Sequence, residues 1–531
     1  MEATAVLEHV AAWIERDRSR FVGPALVVGV TDREDTLGTL ALGDSAPGEP
    51  ARDDHLWQIA SVSKSFTAAL VMQEAAAGTL SLDDPMTRFL PWFTPANAFA
   101  PITLHHLLTH TGGIATGWDV TGDAVEELLL LAGQEVASAP GSYHVYSNAG
   151  YKALGLVLET VAGRPWWDLV RARILAPLGM DATEPVISND VRPRLATGWV
   201  APLDDRPWHP DHGLVPAPWF ESYTADGTIC SNASDLCAYV RMYLHDGGDV
   251  LRPEDVERMT RGDVGDPETG TTYGYGLWVL EHDGHRLVGH SGSLPGYRSM
   301  MTFDRERGLG ACVMTNGAVT WEDRVDLLAF AIDAAAAARG GGELPALPER
   351  SARSAVDPAR AAGRYADGET TIAIEADPDG GLALVDGTDP RPWYGSRDAY
   401  VSVAAGWDRY RFTFERDGDE VVRVVHGARV FHREGTLVLP PPPVDPAWTT
   451  LVGRYRCYGI EPMHVEVLER DGRLRLVNAS AEEEDELVPL GDGRFRVGAE
   501  PWTPGRARFE APVGDAVRRL ILDGAVFVRV P

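Results

Sequence analysis

A chain of 531 residues is too long for a single hydrophobic core and implies several domains. Its 44% apolar and 24% charged residues are those of a globular protein, and 78 acidic against 48 basic side chains give a formal charge of −30. Such a field repels phosphate backbones and excludes nucleic acid as the expected partner. The longest apolar runs, at Leu128–Leu131 and Ala334–Ala338, are far shorter than a membrane span, so no membrane partner is expected. The N-terminus shows no basic-then-apolar leader, and four scattered cysteines (Cys230, Cys237, Cys312, Cys457) show neither metal-like pairing nor disulfide density. Together these read as a cytoplasmic protein with reduced thiols.

Residues 4 to 16 carry helical apolar spacing through Val6, Leu7, Val10, Ala11 and Ile14. Strand-like runs follow at Ala25–Val30 and Thr36–Leu42. From about 60 to 335 the pattern is mainly helical, with strands returning at Tyr275–Glu281, Ser299–Phe303 and Gly310–Thr315. Terminal strands around a helical middle predict an α+β domain, one sheet covered by helices, in which the two ends of the domain pair as neighbouring strands. The pattern changes near 337, where Arg339-Gly340-Gly341-Gly342 opens a linker, and a second linker is Pro440-Pro441-Pro442-Pro443. The expected domains are therefore 1–340, 355–438 and 445–531.

The last two are a repeat. Asp357-Pro358-Ala359 with Gly363-Arg364-Tyr365 recurs as Asp445-Pro446-Ala447 with Gly453-Arg454-Tyr455. A period of this length fits two small antiparallel β domains, barrels or sandwiches, rather than a solenoid.

Chemistry concentrates in three places. In Ile59-Ala60-Ser61-Val62-Ser63-Lys64 a helix starts near Ser61, and residues three apart share its face, so Ser61 and Lys64 can hydrogen-bond. A serine hydroxyl becomes a nucleophile only when a base takes its proton, and a buried lysine at a helix N-terminus can be that base. Lysine is rare here: Lys64 and Lys152 are the only two, so most surface cations are arginine and a remaining lysine gains interest as a titratable amine. The second place is Tyr146-Ser147-Asn148, just before an apolar helix. Its phenol can pass a proton and its amide can hold a carbonyl. The third is His290-Ser291-Gly292-Ser293, whose glycine permits close approach to an edge strand and whose Ser293 N–H can join that of Ser61 in an oxyanion hole.

Taken in this order, the three motifs resemble the family of class C β-lactamases, penicillin-binding DD-peptidases, D-aminopeptidases and related esterases. The resemblance spans about residues 5 to 335 and includes Leu107-Leu108-Thr109-His110-Thr111-Gly112-Gly113 and Leu175-Ala176-Pro177-Leu178-Gly179-Met180. It implies an antiparallel sheet flanked by helices, and a serine hydrolase with Ser61, Lys64 and Tyr146 catalytic and Asn148, His290, Gly292 and Ser293 binding substrate. It implies a small-molecule or peptide substrate, no metal and no other cofactor. Penicillin-binding members begin the third motif with lysine, which helps hold a substrate carboxylate. His290 instead resembles D-aminopeptidases and esterases, as do two β domains after the catalytic one. An acyltransferase or peptide cyclase using the same acyl-enzyme, and a binding protein that kept the fold, are the alternative readings.

The remaining residues have plainer roles. His105, His106 and His110 read as structural or capping, Lys152 as solvent-facing on its helix, the tryptophans as core, and Cys230 and Cys237 as small buried apolar residues.

Overall fold

The structure is a computed structural model. It describes residues 2–531 except 19, 22, 120, 267–268, 350–356, 377–380, 386–389, 393, 397–398, 439, 441, 460–462, 481–482 and 512–515. Two compact units are present, one of residues 1–200 and 216–350, the other of 201–215 and 351–531.

In the first unit the chain begins with helix α1 (Glu2–Arg16) and strands β1 (Ala25–Asp32) and β2 (Thr36–Ala46). The principal helices that follow are α2 (Ser63–Ala77), α3 (Asn148–Ala162) and α4 (Ala233–Leu244). Strands β3 (Trp278–His282), β4 (His285–Leu294), β5 (Tyr297–Asp304) and β6 (Leu309–Thr315) then lead into α5 (Trp321–Arg339). The sheet runs Glu49–Pro50, β2, β1, β6, β5, β4, β3, Thr272–Tyr273, Val264–Gly265. As the terminal strand-like runs predict, β1 lies against β6, antiparallel, with Val28 opposite Val313.

Both faces of this sheet are covered, which is why β1 and β6 read as unbroken apolar runs. Ala25, Val27, Cys312 and Met314 face the core formed with α2, α3 and α4. Leu26, Val28, Val30, Ala311 and Val313 face a second core with α1 and α5. The buried Cys237 and Cys312 sit in this packing as small apolar side chains, and all four cysteines are free thiols.

Two sequence expectations shift. Strand β3 begins at Trp278 rather than Tyr275, because Gly276 takes a left-handed turn (φ +68°) where a Cβ would stand 2.8 Å from the Lys64 carbonyl oxygen. The third motif lies on β4, an interior strand rather than an edge one. Its pairing with β3 spans only His285–Gly289, however, whereas pairing with β5 continues from Val288 to Leu294. Residues 290–294 thus run past the end of β3, and this overhang faces the start of α2.

In the second unit the first module is a nine-stranded sheet and the second a closed eight-stranded barrel. The repeat is visible in side-chain detail. Asp357 caps Pro358–Ala361 through the Ala359 N–H, and Asp445 caps Pro446–Thr450 through the Ala447 N–H. Tyr365 donates to the Ala361 carbonyl and Tyr455 to that of Leu451, each at 2.7 Å. Segment 201–215 joins this unit through Asp204 with Arg456 and Asp205 with Arg409, each at 3.0 Å.

Candidate active site

Ser61 is presented by a tight turn. Ala60 adopts φ +49°, a conformation costly for a residue with a Cβ, and a 3₁₀ turn over Ala60–Val62 runs into α2. The strain is held from three sides. The Ile59 N–H donates to the Ile229 carbonyl at 2.9 Å, Ser299 Oγ donates to the Ile59 carbonyl at 2.7 Å, and Gly292 lies so close that a Cβ there would meet the Ile59 oxygen at 2.1 Å. Arg324 of α5 supports the same stretch from behind, donating to the Gly292 and Ser299 carbonyls at 2.9 and 2.7 Å.

One turn along α2, the buried Lys64 Nζ has three partners: Ser61 Oγ at 3.0 Å, Asn148 Oδ1 at 2.7 Å and the Asp226 carbonyl at 3.0 Å. Burial lowers its pKa to about 8, against the pull of Asp226 and Asp119. Asn148 and Tyr146 arrive together because Ser147 caps α3. Ser147 Oγ accepts from the Gly150 N–H at 3.0 Å and donates to the Ala115 carbonyl at 2.8 Å, while its N–H donates to His110 Nδ1 at 2.9 Å. The Asn148 amide is oriented by Asp119, whose Oδ1 accepts from Nδ2 at 2.7 Å. The Tyr146 ring lies 4.9 Å from Lys64 Nζ. Desolvation pushes its phenol well above the ordinary range, and its contact with Ser61 offsets only part of that rise, so it stays protonated near neutrality.

His290 is buried on β4. Its Nδ1 is 2.6 Å from the Ser291 carbonyl, which only accepts, so Nδ1 carries the proton and Nε2 accepts from the Tyr273 hydroxyl at 2.8 Å. Burial and the nearby Lys64 lower its pKa to about 3, so the ring is neutral at physiological pH. Gly292 is buried and Ser293 exposed on the overhang. All seven residues singled out in the sequence lie in the elements that converge on Ser61.

A sequence model of the β-lactamase family matches residues 10–336, which contain every one of these groups. The chain belongs to the β-lactamase family. Esterase EstB of Burkholderia gladioli is 32% identical over 326 residues, 52% of this chain and 81% of the esterase. A D-aminopeptidase of Brucella anthropi is 26% identical over 331 residues, 59% of each chain. The octameric penicillin-binding protein homologue from Pyrococcus abyssi shares the fold, with a TM-score of 0.58 at 23% identity over 81% of this chain and 100% of that one. This β-lactamase-family chain is a serine hydrolase, and its fold is the β-lactamase/transpeptidase-like one followed by all-β modules.

Within the family framework, the plainer readings of the sequence divide. His106 does cap, forming a capping box with Thr103, and His105 pairs with the Tyr275 hydroxyl at 2.8 Å. Trp57, Trp118 and Trp166 are buried core, whereas Trp167, Trp199, Trp208 and Trp219 are only half-buried. Among the described residues no cluster of three or more His, Cys, Asp or Glu side chains could hold a metal ion, and no helix is long and apolar enough to cross a membrane.

Lys152 is not solvent-facing. It is fully buried, donating to Glu127 Oε2 at 2.7 Å and to the Trp118 carbonyl, with Asp226 Oδ2 at 3.6 Å. Burial works to lower its pKa, but Asp226 and Glu127 outweigh burial and raise it. Helical position alone could not show this, because both carboxylates come from distant parts of the chain. Glu127 carried no sequence signal. Asp226 stands beside Gly227 in the chain, which says nothing of what its carboxylate holds.

Proposed function

We propose that the protein forms a covalent acyl-enzyme on Ser61 with a small amide, peptide or ester substrate. The observation that carries this is the set of partners around Lys64. Two of the three are carbonyl oxygens, which only accept, and the third is a hydroxyl. The ammonium donates to all three; on losing a proton the amine keeps two N–H groups on Asn148 and Asp226 and turns its lone pair to the Ser61 hydroxyl, the one partner that can donate.

Lys64 Nζ takes the Ser61 proton as Oγ attacks the substrate carbonyl carbon. Backbone N–H groups of Ser61 and Ser293 stabilise the oxyanion, and Gly292 lets β4 approach Ile59 and Ala60 closely enough to bring the two together. Collapse of the adduct breaks the bond to the leaving group. Tyr146 gives its proton to the departing amine or alcohol and recovers one from the Lys64 ammonium. Water then attacks the ester, its proton returning through the same pair, and the acid leaves Ser61. Asn148 orients Lys64 and the bound acyl group.

Neutral His290 offers no ionic hold for a substrate carboxylate. The Asp119 carboxyl stands beside Asn148, its pKa raised by desolvation against the pull of Lys64 and Lys152. This favours substrates with a free amine or no charge, as the relatives named D-aminopeptidase and esterase also do. The test is turnover of a D-amino-acid amide, a p-nitrophenyl ester and a β-lactam, with and without an added amine acceptor. Hydrolysis of the amide or ester supports the reading. Rapid turnover of the β-lactam alone would move the substrate assignment, and aminolysis outrunning hydrolysis would make the enzyme an acyltransferase.

A further inference from the structure

The chain's only two lysines occupy one buried site, yet they are held by opposite kinds of partner. Lys64 Nζ bonds to two neutral carbonyl oxygens and the Ser61 hydroxyl. Lys152 Nζ bonds to the Glu127 carboxylate, reaches toward that of Asp226, and spends a third N–H on the Trp118 carbonyl. Lys64 has one partner that can donate to a lone pair, the Ser61 hydroxyl, so its site can hold an amine, whereas every partner of Lys152 only accepts and calls for an ammonium.

Asp226 joins the two. Its backbone carbonyl accepts from Lys64, while its carboxylate lies 3.6 Å from Lys152 through Oδ2. Its Oδ1 is buried without a hydrogen-bond partner among the described residues. The stretch is fixed in place: Thr67 Oγ1 donates to the Ala225 carbonyl at 2.6 Å, and a Cβ on Gly155 of α3 would stand 2.4 Å from Ala225 Cβ. If Lys152 were removed, Asp226 and Glu127 would be two buried carboxylates whose nearest remaining ammonium is Lys64, the group that has to give up its charge to act as a base.

We propose that Lys152 is a positioning residue of the reaction: its permanent ammonium satisfies the Glu127 and Asp226 carboxylates and so leaves Lys64 free to exist as the neutral amine that activates Ser61. This rests on the proposed role of Lys64. The groups facing Lys64 are His110 and Asp119 from the loop preceding α3, Tyr146, Tyr151 and Lys152 from α3 and its cap, Asp226 from the 224–230 segment, and His290 from β4. Of these, Lys152 is the only permanent cation. The direction of its effect agrees with the causes acting on Lys64, where the two aspartates favour the ammonium and Lys152 opposes it.

The experiment measures the rate of Ser61 labelling by a fluorophosphonate against pH, by intact-protein mass spectrometry, in the full chain. Wild type should rise as Lys64 loses its proton. In Lys152→Met the rising limb should move up by about one pH unit or more, with labelling at pH 7 slower by about tenfold and largely recovered at high pH. Because Lys152→Met leaves Glu127 unpaired, Lys152→Met/Glu127→Gln is measured beside it and should show the same displacement. Glu127→Gln alone keeps the cation and should not move the limb upward. A purely structural ion pair would lower the plateau without moving the limb, and that result in the double variant overturns the proposal.

A second measurement needs no variant. Uniform ¹³C-lysine labelling gives only two ε-carbon signals, and the proposal requires one to titrate near the wild-type limb while the other stays protonated beyond it. Two signals titrating together, or Lys152 losing its proton first, would overturn it. Failure of Ser61 to label refutes the proposed function instead, and the lysine titration still decides this inference.

Discussion

Replacing Gly292 with alanine places a methyl group where β4 runs against the residues that present Ser61. The added Cβ would stand 2.1 Å from the Ile59 carbonyl oxygen, 2.4 Å from Ser299 Oγ and 2.9 Å from Ala60 Cβ. Ordinary carbon–oxygen contact needs about 3.3 Å, so the Ile59 carbonyl has to retreat by about 1 Å in an interior packed too densely to absorb it. That carbonyl is tied to Ser299 at 2.7 Å and the Ile59 N–H to Ile229 at 2.9 Å, so movement there breaks or stretches buried hydrogen bonds. Overpacking costs about 1–3 kcal/mol, and a lost buried hydrogen bond adds about 1 kcal/mol. The expected destabilisation is therefore about 2–4 kcal/mol, read as a lower Tm in calorimetry at fixed pH. A shift of that size next to Ser61 should also slow Ser61 labelling by about a hundredfold, since near-attack geometry is lost. Gly265→Ala is the control, because its Cβ would meet nothing within 4 Å. If Gly292→Ala matched wild type in Tm and labelled within twofold of it, the close approach of β4 would not be what positions Ser61.

Three further outcomes follow from the same geometry. With Lys64 lowered to about 8, activity on its neutral form should rise with pH, from about one-tenth of maximum at pH 7 to about nine-tenths at pH 9, and a profile flat between pH 6 and 9 would contradict Lys64 as base. Tyr146→Phe should slow turnover of an unactivated amide by about 10²–10⁴-fold while circular dichroism shows an unchanged fold, with a smaller loss for an aryl ester whose leaving group needs no proton. His290 has a folded pKa of about 3, below its unfolded value, so its contribution to stability is complete above about pH 6.5 and is lost as pH falls toward 3. Urea unfolding of His290→Asn should therefore show a shallower acid decline than wild type, and an equal slope would place the acid sensitivity elsewhere.

The sequence made legible what depends on local pattern. Strands β1 and β6 could be read because their burial on both faces leaves continuous apolar runs, and Ser61 with Lys64 because helical spacing alone brings them together. The tail repeat could be read because the same capping aspartate and the same tyrosine bond recur in each copy. Long-range assembly was not legible. Nothing near Lys152 in the chain announces Glu127 or Asp226, and Arg324 gives no sign from its own helix that it holds the Gly292 and Ser299 carbonyls. The two-residue strands Thr272–Tyr273 and Val264–Gly265 are too short for any periodicity, yet the first supplies the Tyr273 hydroxyl that fixes His290.

The central claim is a covalent bond between Ser61 and an acyl group, and intact-protein mass spectrometry tests it most directly. Wild type and Ser61→Ala are exposed in parallel to a p-nitrophenyl ester, with rapid acid quenching, and to a fluorophosphonate. The account predicts a single adduct on wild type, mapped by peptide digestion to Ser61, and none on Ser61→Ala with an unchanged Tm. An adduct of equal yield on Ser61→Ala, or one mapped to another residue, would contradict it.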